Sequence, residues 1–197
     1  DGASFGGCVY VVDAAAGGTS DDIAIVAPDF VEGTTAIGSL GRSVAAGSYF
    51  GVDSIAMFNA EGAFFLFERV NILATVSDTS AAVIVTQDYS TNSPPSTIGA
   101  TVSDAGDVDG DGASDLLLGD PAADPDLDTD AEGAAYLLYS GIGPGSYDLS
   151  DLCAGAEAMC FHGNDEGDFT GAALAGGDVN QDGKSDVLIA ATSDDVS

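Results

Sequence analysis

The chain has 197 residues, of which 45% are hydrophobic, and its 33 acidic residues against 3 basic ones give a formal net charge of −30. A surface this acidic repels nucleic-acid phosphates and anionic lipid headgroups, which argues against both as partners and favours cations. The apolar content is too high for a disordered acidic segment, and the apolar runs are too short to insert into a bilayer.

Short apolar runs recur along the chain, rich in Val, Ile, Phe and Tyr and bounded by Gly, Asp, Ser and Pro. Such runs predict β-strands, and no window has the sustained period of a helix. Residues 122–131 and 141–150 are predicted loops. The predicted strands are, in chain order, 6–12, 23–27, 41–47, 54–58, 62–67, 82–86, 99–103, 115–118, 133–139, 156–161, 171–175 and 186–190.

Three of these strands begin a repeating unit, at Gly41, Gly99 and Gly171, with spacings of 58 and 72 residues. Four short strands in a unit of this size are typical of a β-propeller blade. We therefore predict an all-β fold of propeller-like, four-stranded antiparallel blades. The chain then divides into an N-terminal half-blade with strands 3 and 4 (1–40), a degenerate blade (41–98), a complete blade (99–170) and a C-terminal half-blade with strands 1 and 2 (171–197).

The two half-blades are complementary. Asp115 and Tyr136 of the complete blade are 21 residues apart, and counting from Asp186 through the chain end to Tyr10 also gives 21. Three blades are fewer than a closed propeller uses, so one hypothesis is head-to-tail association between chains into a ring or a filament. The other is that both ends are cuts in a longer repeat protein. The absence of an initial Met agrees with a mature, processed or excised chain.

The clearest local motif is the segment 107–115, DVDGDGASD, which has a second copy at 178–186, DVNQDGKSD. Oxygen ligands at positions 1, 3, 5, 7 and 9, with a glycine at position 6 for the sharp turn, wrap around one hard cation. With no Cys or His nearby, this ligand set favours Ca²⁺ over Zn²⁺ or Cu²⁺, and the position-12 Glu of a helix–loop–helix calcium site is absent. We predict two calcium sites, with backbone carbonyls from Ala113 and Lys184: Asp107, Asp109, Asp111, Ala113 and Asp115 in the first, and Asp178, Asn180, Asp182, Lys184 and Asp186 in the second.

Together with its flanks, this motif resembles the FG-GAP repeat of integrin-α-like β-propellers, and the pattern is most similar to the long bacterial secreted versions. The resemblance implies calcium in the loops, radially packed blades, and a role in adhesion, recognition or scaffolding. The equivalent segment of the preceding blade, 48–53, keeps one acid, and we predict no metal there. The segments that match the repeat are 98–103, 106–112, 115–121, 133–136, 169–174 and 177–180.

Candidate catalytic side chains are scarce. The chain has one histidine, His162, and its basic residues are Arg42, Arg69 and Lys184. Acid–base and nucleophilic catalysis need a base beside an electrostatic partner, and these four residues are scattered along the chain. We predict that the protein is not an enzyme and interpret His162 as a strand-end side chain; a polysaccharide lyase is the weaker hypothesis.

The chain has three cysteines, and two of them, Cys153 and Cys160, are seven residues apart. They could form a disulfide in an extracellular protein, which leaves Cys8 free or paired between chains. The alternative is that all three are small buried apolar side chains.

These observations predict a calcium-binding extracellular structural protein, secreted or at the cell surface, that assembles head to tail into a homo-oligomer, a fibre or a larger array. The alternative is an integrin-like adhesion or recognition module that binds protein or polysaccharide. A high-salt habitat would also account for the acidic composition, because salt screens the repulsion between surface charges.

Overall fold

The computed structural model describes residues 9–12, 23–26, 43–49, 52–58, 64–68, 83–86, 101–125 and 131–193, and within them the fold is all-β with one short helix. Each predicted strand overlaps an observed one. The elements are β1 Val9–Val12, β2 Ile23–Val26, β3 Val44–Tyr49, β4 Val52–Phe58, β5 Phe64–Glu68, β6 Val83–Thr86, β7 Thr101–Gly106, β8 Asp115–Asp120, β9 Ala134–Leu138, β10 Gly145–Asp148, α1 Leu149–Ala154, β11 Ala158–His162, β12 Ala173–Gly177 and β13 Asp186–Ala190.

The described strands form four open sheets. One is an antiparallel four-stranded sheet in the order β11-β9-β8-β7. A second has five strands in the order β10-β6-β5-β4-β3. The remaining two are antiparallel pairs, β1 with β2 and β12 with β13.

The prediction of a loop over 141–150 is wrong, because this segment contains β10 and the start of α1. Strand β10 pairs in parallel with β6, so this sheet has five strands and is not purely antiparallel, in contrast to the predicted four-stranded blade. The side chain of Asp148 then accepts a hydrogen bond from the Ser150 backbone N–H and caps α1. The pairing covers an edge of β6 that would otherwise present unpaired backbone groups.

Strands β8 and β9 are buried along their whole length. Leu116 and Leu118 belong to the larger core cluster, together with Tyr49 of β3, whereas Leu117 packs in a smaller cluster with Leu137. A strand covered on both faces has a continuous apolar sequence, which explains the absence of polar alternation here. This packing fixes the position at which β8 begins.

The first strands of three successive sheets, β3, β7 and β12, lie side by side. The backbone N–H of Ser114 donates to the carbonyl of Ser48 at 3.1 Å, which links the end of β3 to the residue before β8. On the other side, a Cβ added at Gly176 of β12 would lie 2.3 Å from the carbonyl oxygen of Ala105 in β7. Glycine at this position therefore permits the close approach of the two strands.

Cys153 of α1 and Cys160 of β11 form a disulfide with 5.9 Å between their Cα atoms. Of the two interpretations of these cysteines, the bridge is the one observed. It ties the short helix to the outer strand of the four-stranded sheet. Cys8 lies outside the described residues.

Tyr49 is fully buried, and its hydroxyl has no hydrogen-bond partner among the described residues. Burial, reinforced by the negative charge of Asp104, raises the pKa of this phenol. We expect Tyr49→Phe to increase the free energy of unfolding by about 1 kcal/mol at pH 7, because an unsatisfied buried hydroxyl is removed. Urea unfolding followed by circular dichroism measures this.

The matched control is Tyr147→Phe, which removes a hydroxyl that donates to the Gly143 carbonyl at 2.8 Å and should lower stability slightly. The raised pKa of Tyr49 also predicts the direction in which the stability of the protein changes at alkaline pH. Above pH 10 the unfolded chain ionises this phenol while the folded chain does not, so the stability contribution of the neutral phenol is lost as pH rises. Tyr49→Phe should therefore reduce the alkaline loss of stability, and an unchanged or steeper loss would contradict the assignment.

Candidate metal centre

The two acidic motifs form equivalent hairpin bends, which we call loop 1 (107–115) and loop 2 (178–186). Loop 1 joins β7 to β8, and Gly106 pairs with Asp115 at its base. Loop 2 joins β12 to β13, and Gly177 pairs with Asp186 in the same way. The alternation of short strands and the nine-residue spacing together place both motifs at the same end of a strand pair.

Loop 1 gathers three of its acidic side chains. Asp107, Asp109 and Asp115 each offer an oxygen atom, and these three atoms lie within 4.8 Å of one another. Among the described residues this is the one group of three metal-ligating side chains that meets this distance. Hard oxygen donors in such a cluster are suited to a divalent cation such as Ca²⁺.

Backbone N–H groups hold the loop 1 carboxylates in place. Asp107 accepts from the N–H of Gly110 at 2.6 Å and from that of Gly112 at 2.9 Å. Both glycines have positive φ, +87° and +94°, a region that other residues rarely adopt. The glycines therefore permit the turn that directs these N–H groups at Asp107.

Asp115, the first residue of β8, is only 1% exposed. Its two oxygens accept from the backbone N–H of Val108 at 2.8 Å and of Ser140 at 2.9 Å. Burial raises the pKa of this carboxyl, against the opposite effect of its hydrogen bonds. A bound cation would offset that burial penalty, because it favours the ionised form.

Asp111, a predicted ligand, lies outside the group of three acids. Its side chain is exposed and accepts from the Ser140 hydroxyl at 2.7 Å and from the Ala113 N–H at 2.8 Å. The bond from Ser140 is the main cause that lowers the pKa of Asp111. The structure thus places Asp111 against the end of β9, beside the cluster.

Ser140 was missed by the sequence analysis, although it contacts both Asp111 and Asp115. It has no motif of its own. The strand order could have located it. Strands β8 and β9 are antiparallel with Leu116 opposite Leu138, so a residue just after β9 lies beside the start of β8.

Loop 2 repeats the hydrogen bonds of loop 1. The Asp178 side chain accepts from the backbone N–H of Gly183 at 3.0 Å, and the Asp186 side chain accepts from that of Val179 at 2.8 Å. The Asp182 side chain accepts from the backbone N–H of Lys184 at 2.9 Å. The loop is largely exposed. Its acids do not form a described group within 4.8 Å, and Asn180 at position 3 instead donates to Asp186 at 3.3 Å.

The remaining candidate residues lie apart from these loops. His162 is exposed at the end of β11, as interpreted from the sequence. Asp53 is exposed on β4, and the prediction that its segment holds no metal stays a prediction, since residues 50 and 51 are not described. Arg42 and Arg69 lie outside the described residues.

The FG-GAP repeat family model matches residues 170–197, a segment that contains β12, loop 2 and β13. FG-GAP repeats are typical of extracellular proteins and occur in integrin-like adhesion or recognition modules. No curated protein sequence matches the chain. Within the described part of the chain, no helix has the length and apolar character that crossing a bilayer requires.

Proposed function

We propose that the protein is a calcium-braced structural module of the extracellular space, without enzymatic activity, whose chains associate through their two-stranded sheets. The observation that supports it most is the cluster of Asp107, Asp109 and Asp115 on a hairpin bend. The FG-GAP match over loop 2 supports a second site of the same kind.

The loop 1 residues fit a calcium ion. Each carboxylate oxygen that accepts one backbone hydrogen bond retains a further lone pair, so the bonds that shape the loop leave it able to coordinate. Three acids close together in metal-free protein repel one another, and a divalent cation would neutralise them. Asp107, Asp109 and Asp115 would hold the ion, with Asp111 and the Ala113 carbonyl beside them. The bound ion would act as a structural cross-link between these residues of loop 1.

A propeller-like, radial arrangement of the sheets is supported by the contacts between their first strands. In a propeller the equivalent strands of successive blades lie around a common axis. Strands β3, β7 and β12 are equivalent in this sense and lie side by side in chain order. The units 1–40, 41–98, 99–170 and 171–197 are accordingly proposed as half-blade, blade, blade and half-blade.

Equivalent residues of the two loop-bearing sheets support the association of chains. Leu117 in β8 is fully buried and packs with Leu137 of β9, whereas its equivalent in β13, Leu188, is 49% exposed. We propose that β1 of a second copy takes the place of β9 beside β13, with Tyr10 opposite Ile189, as Tyr136 is opposite Leu118. Strand addition of this kind pairs the backbone groups of an open sheet edge.

Substitution of Leu188 tests this association. We expect the wild-type chain to elute as dimers or larger species in calcium by size-exclusion chromatography with light scattering, and Leu188→Asp to be monomeric. The control for the added charge is Ala156→Asp between α1 and β11, an exposed residue outside the two-stranded sheets; it should preserve the oligomer. A wild-type chain that stays monomeric at high concentration in calcium rules the association out.

The second candidate function is recognition of a protein or a polysaccharide, favoured by the occurrence of FG-GAP repeats in adhesion and recognition modules. A glycan and matrix-protein array, probed with the chain in calcium and again in excess chelator, separates the two. Calcium-dependent binding by the monomeric Leu188→Asp variant would favour recognition over self-assembly.

A further inference from the structure

Loop 2 contacts loop 1 through two hydrogen bonds. The backbone N–H of Ser185 donates to the carbonyl of Asp107 at 2.9 Å, and Lys184 Nζ donates to the carbonyl of Asp109. The lysine side chain lies over Gly110, where an added Cβ would be 2.8 Å from Lys184 Cε. The acceptors therefore belong to two of the residues whose carboxylates form the cluster.

We propose that the two loops bind their cations as one coupled unit, linked by Lys184, so that an ion in either loop raises the affinity of the other. This rests on the proposed calcium function. Coupling between two sites is reciprocal for binding free energies, so it should be visible from either loop.

The positions of the linking residues explain the coupling. Lys184 and Ser185 are positions 7 and 8 of loop 2, and Lys184 donates its own N–H to Asp182. An ion held by loop 2 would fix this segment and with it the lysine side chain over loop 1. An ion in loop 1 would fix the carbonyls that Lys184 and Ser185 contact, so whichever ion binds first reduces the conformational freedom that the second must remove.

Repulsion between the two ions opposes this coupling; the acids keep the binding of both ions favourable, and screening at the exposed loops weakens the repulsion. Together the loops have a net charge of −6, which two divalent cations reduce to −2. The second ion therefore still enters a region of negative charge, and both loops are exposed enough for solvent and salt to screen the ion–ion term. The charged residues counted are Asp107, Asp109, Asp111, Asp115, Asp178, Asp182, Asp186 and Lys184.

The test is a calcium titration of the full chain followed by ¹H–¹⁵N NMR, in which the Gly112 amide reports loop 1 and the Gly183 amide reports loop 2. Loop 2 is disabled by Asp178→Asn with Asp182→Asn, since each Asn keeps an acceptor oxygen for the loop but loses the charge. We expect the calcium midpoint of loop 1 to rise about tenfold. In a Lys184→Met background the same two substitutions should change that midpoint less than twofold.

Comparing the two backgrounds removes the direct effect of the lysine charge on loop 1, as in a double-mutant cycle. Asp165→Asn with Glu166→Gln, two exposed acids outside the loops, controls for general loss of negative charge and should leave the midpoint unchanged. If disabling loop 2 does not move the loop 1 midpoint, or moves it equally in the Lys184→Met background, the coupling is refuted while the calcium proposal stands. No calcium-dependent change of either amide in the wild-type chain refutes the calcium proposal itself.

Discussion

Adding calcium to the metal-free protein is expected to raise its melting temperature by about 10–20 °C. An ion present at about 100 times its dissociation constant adds about 2.7 kcal/mol per site, so two sites add about 5 kcal/mol. For a chain of about 200 residues, each kcal/mol shifts the midpoint by about 2–4 °C. Extracellular calcium modules bind in the range of about 10⁻⁴ to 10⁻³ M, and about 10 mM calcium reaches that 100-fold ratio at the tighter end of the range.

Differential scanning calorimetry is the appropriate measurement, because the chain has no tryptophan to report unfolding. Magnesium at the same concentration is the control for general screening of the acidic surface, and should give a smaller shift because it adapts poorly to a multidentate oxygen cage. An identical transition in calcium and in excess chelator would contradict the proposed bracing role.

The strands could be predicted from the sequence because their signal is local. A run such as 115–118 is short, mostly apolar and bounded by turn residues, and β8 begins at its first residue. The hairpin bends were equally local, since the nine-residue spacing and the glycines at position 6 determine the turn. The antiparallel pairing of β7 with β8 then follows from the short connection between them, whereas β9 pairs with β11 across the intervening β10 and α1.

Features that depend on distant contacts could not be predicted in this way. Strand β10 has no strong apolar pattern and forms because the edge of β6 lies next to it. Asp111 fits the ligand spacing as well as its neighbours do, but its side chain accepts a hydrogen bond from the Ser140 hydroxyl, 29 residues away. The contact of Lys184 with the Asp109 carbonyl links positions 75 residues apart, and nothing local predicts it.

Asp115→Ala is expected to lower the free energy of unfolding by about 3 kcal/mol even without calcium. The substitution leaves the backbone N–H groups of Val108 and Ser140 without an acceptor, and each buried N–H group without a hydrogen-bond partner costs about 1–3 kcal/mol. Urea unfolding in calcium-free buffer measures this, so the loss cannot come from a missing ion. The matched control is the equivalent substitution Asp186→Ala, which should cost less than about 1 kcal/mol because its backbone donors are exposed and water replaces the carboxylate.

Asp115→Asn separates the structural role of this side chain from its charge. Burial raises the pKa of Asp115 above its ordinary value of 3.8, so in calcium-free buffer the ionised form is disfavoured in the folded chain. The stability that the protonated form contributes is complete below pH 3.8 and is lost as pH rises through the folded-state pKa. Relative to wild type, Asp115→Asn should therefore be least stable at low pH and gain as pH rises, while showing a much reduced response to calcium. A wild-type advantage that grows with pH in calcium-free buffer would show that the buried carboxylate is stabilised by its hydrogen bonds more than it is penalised by burial.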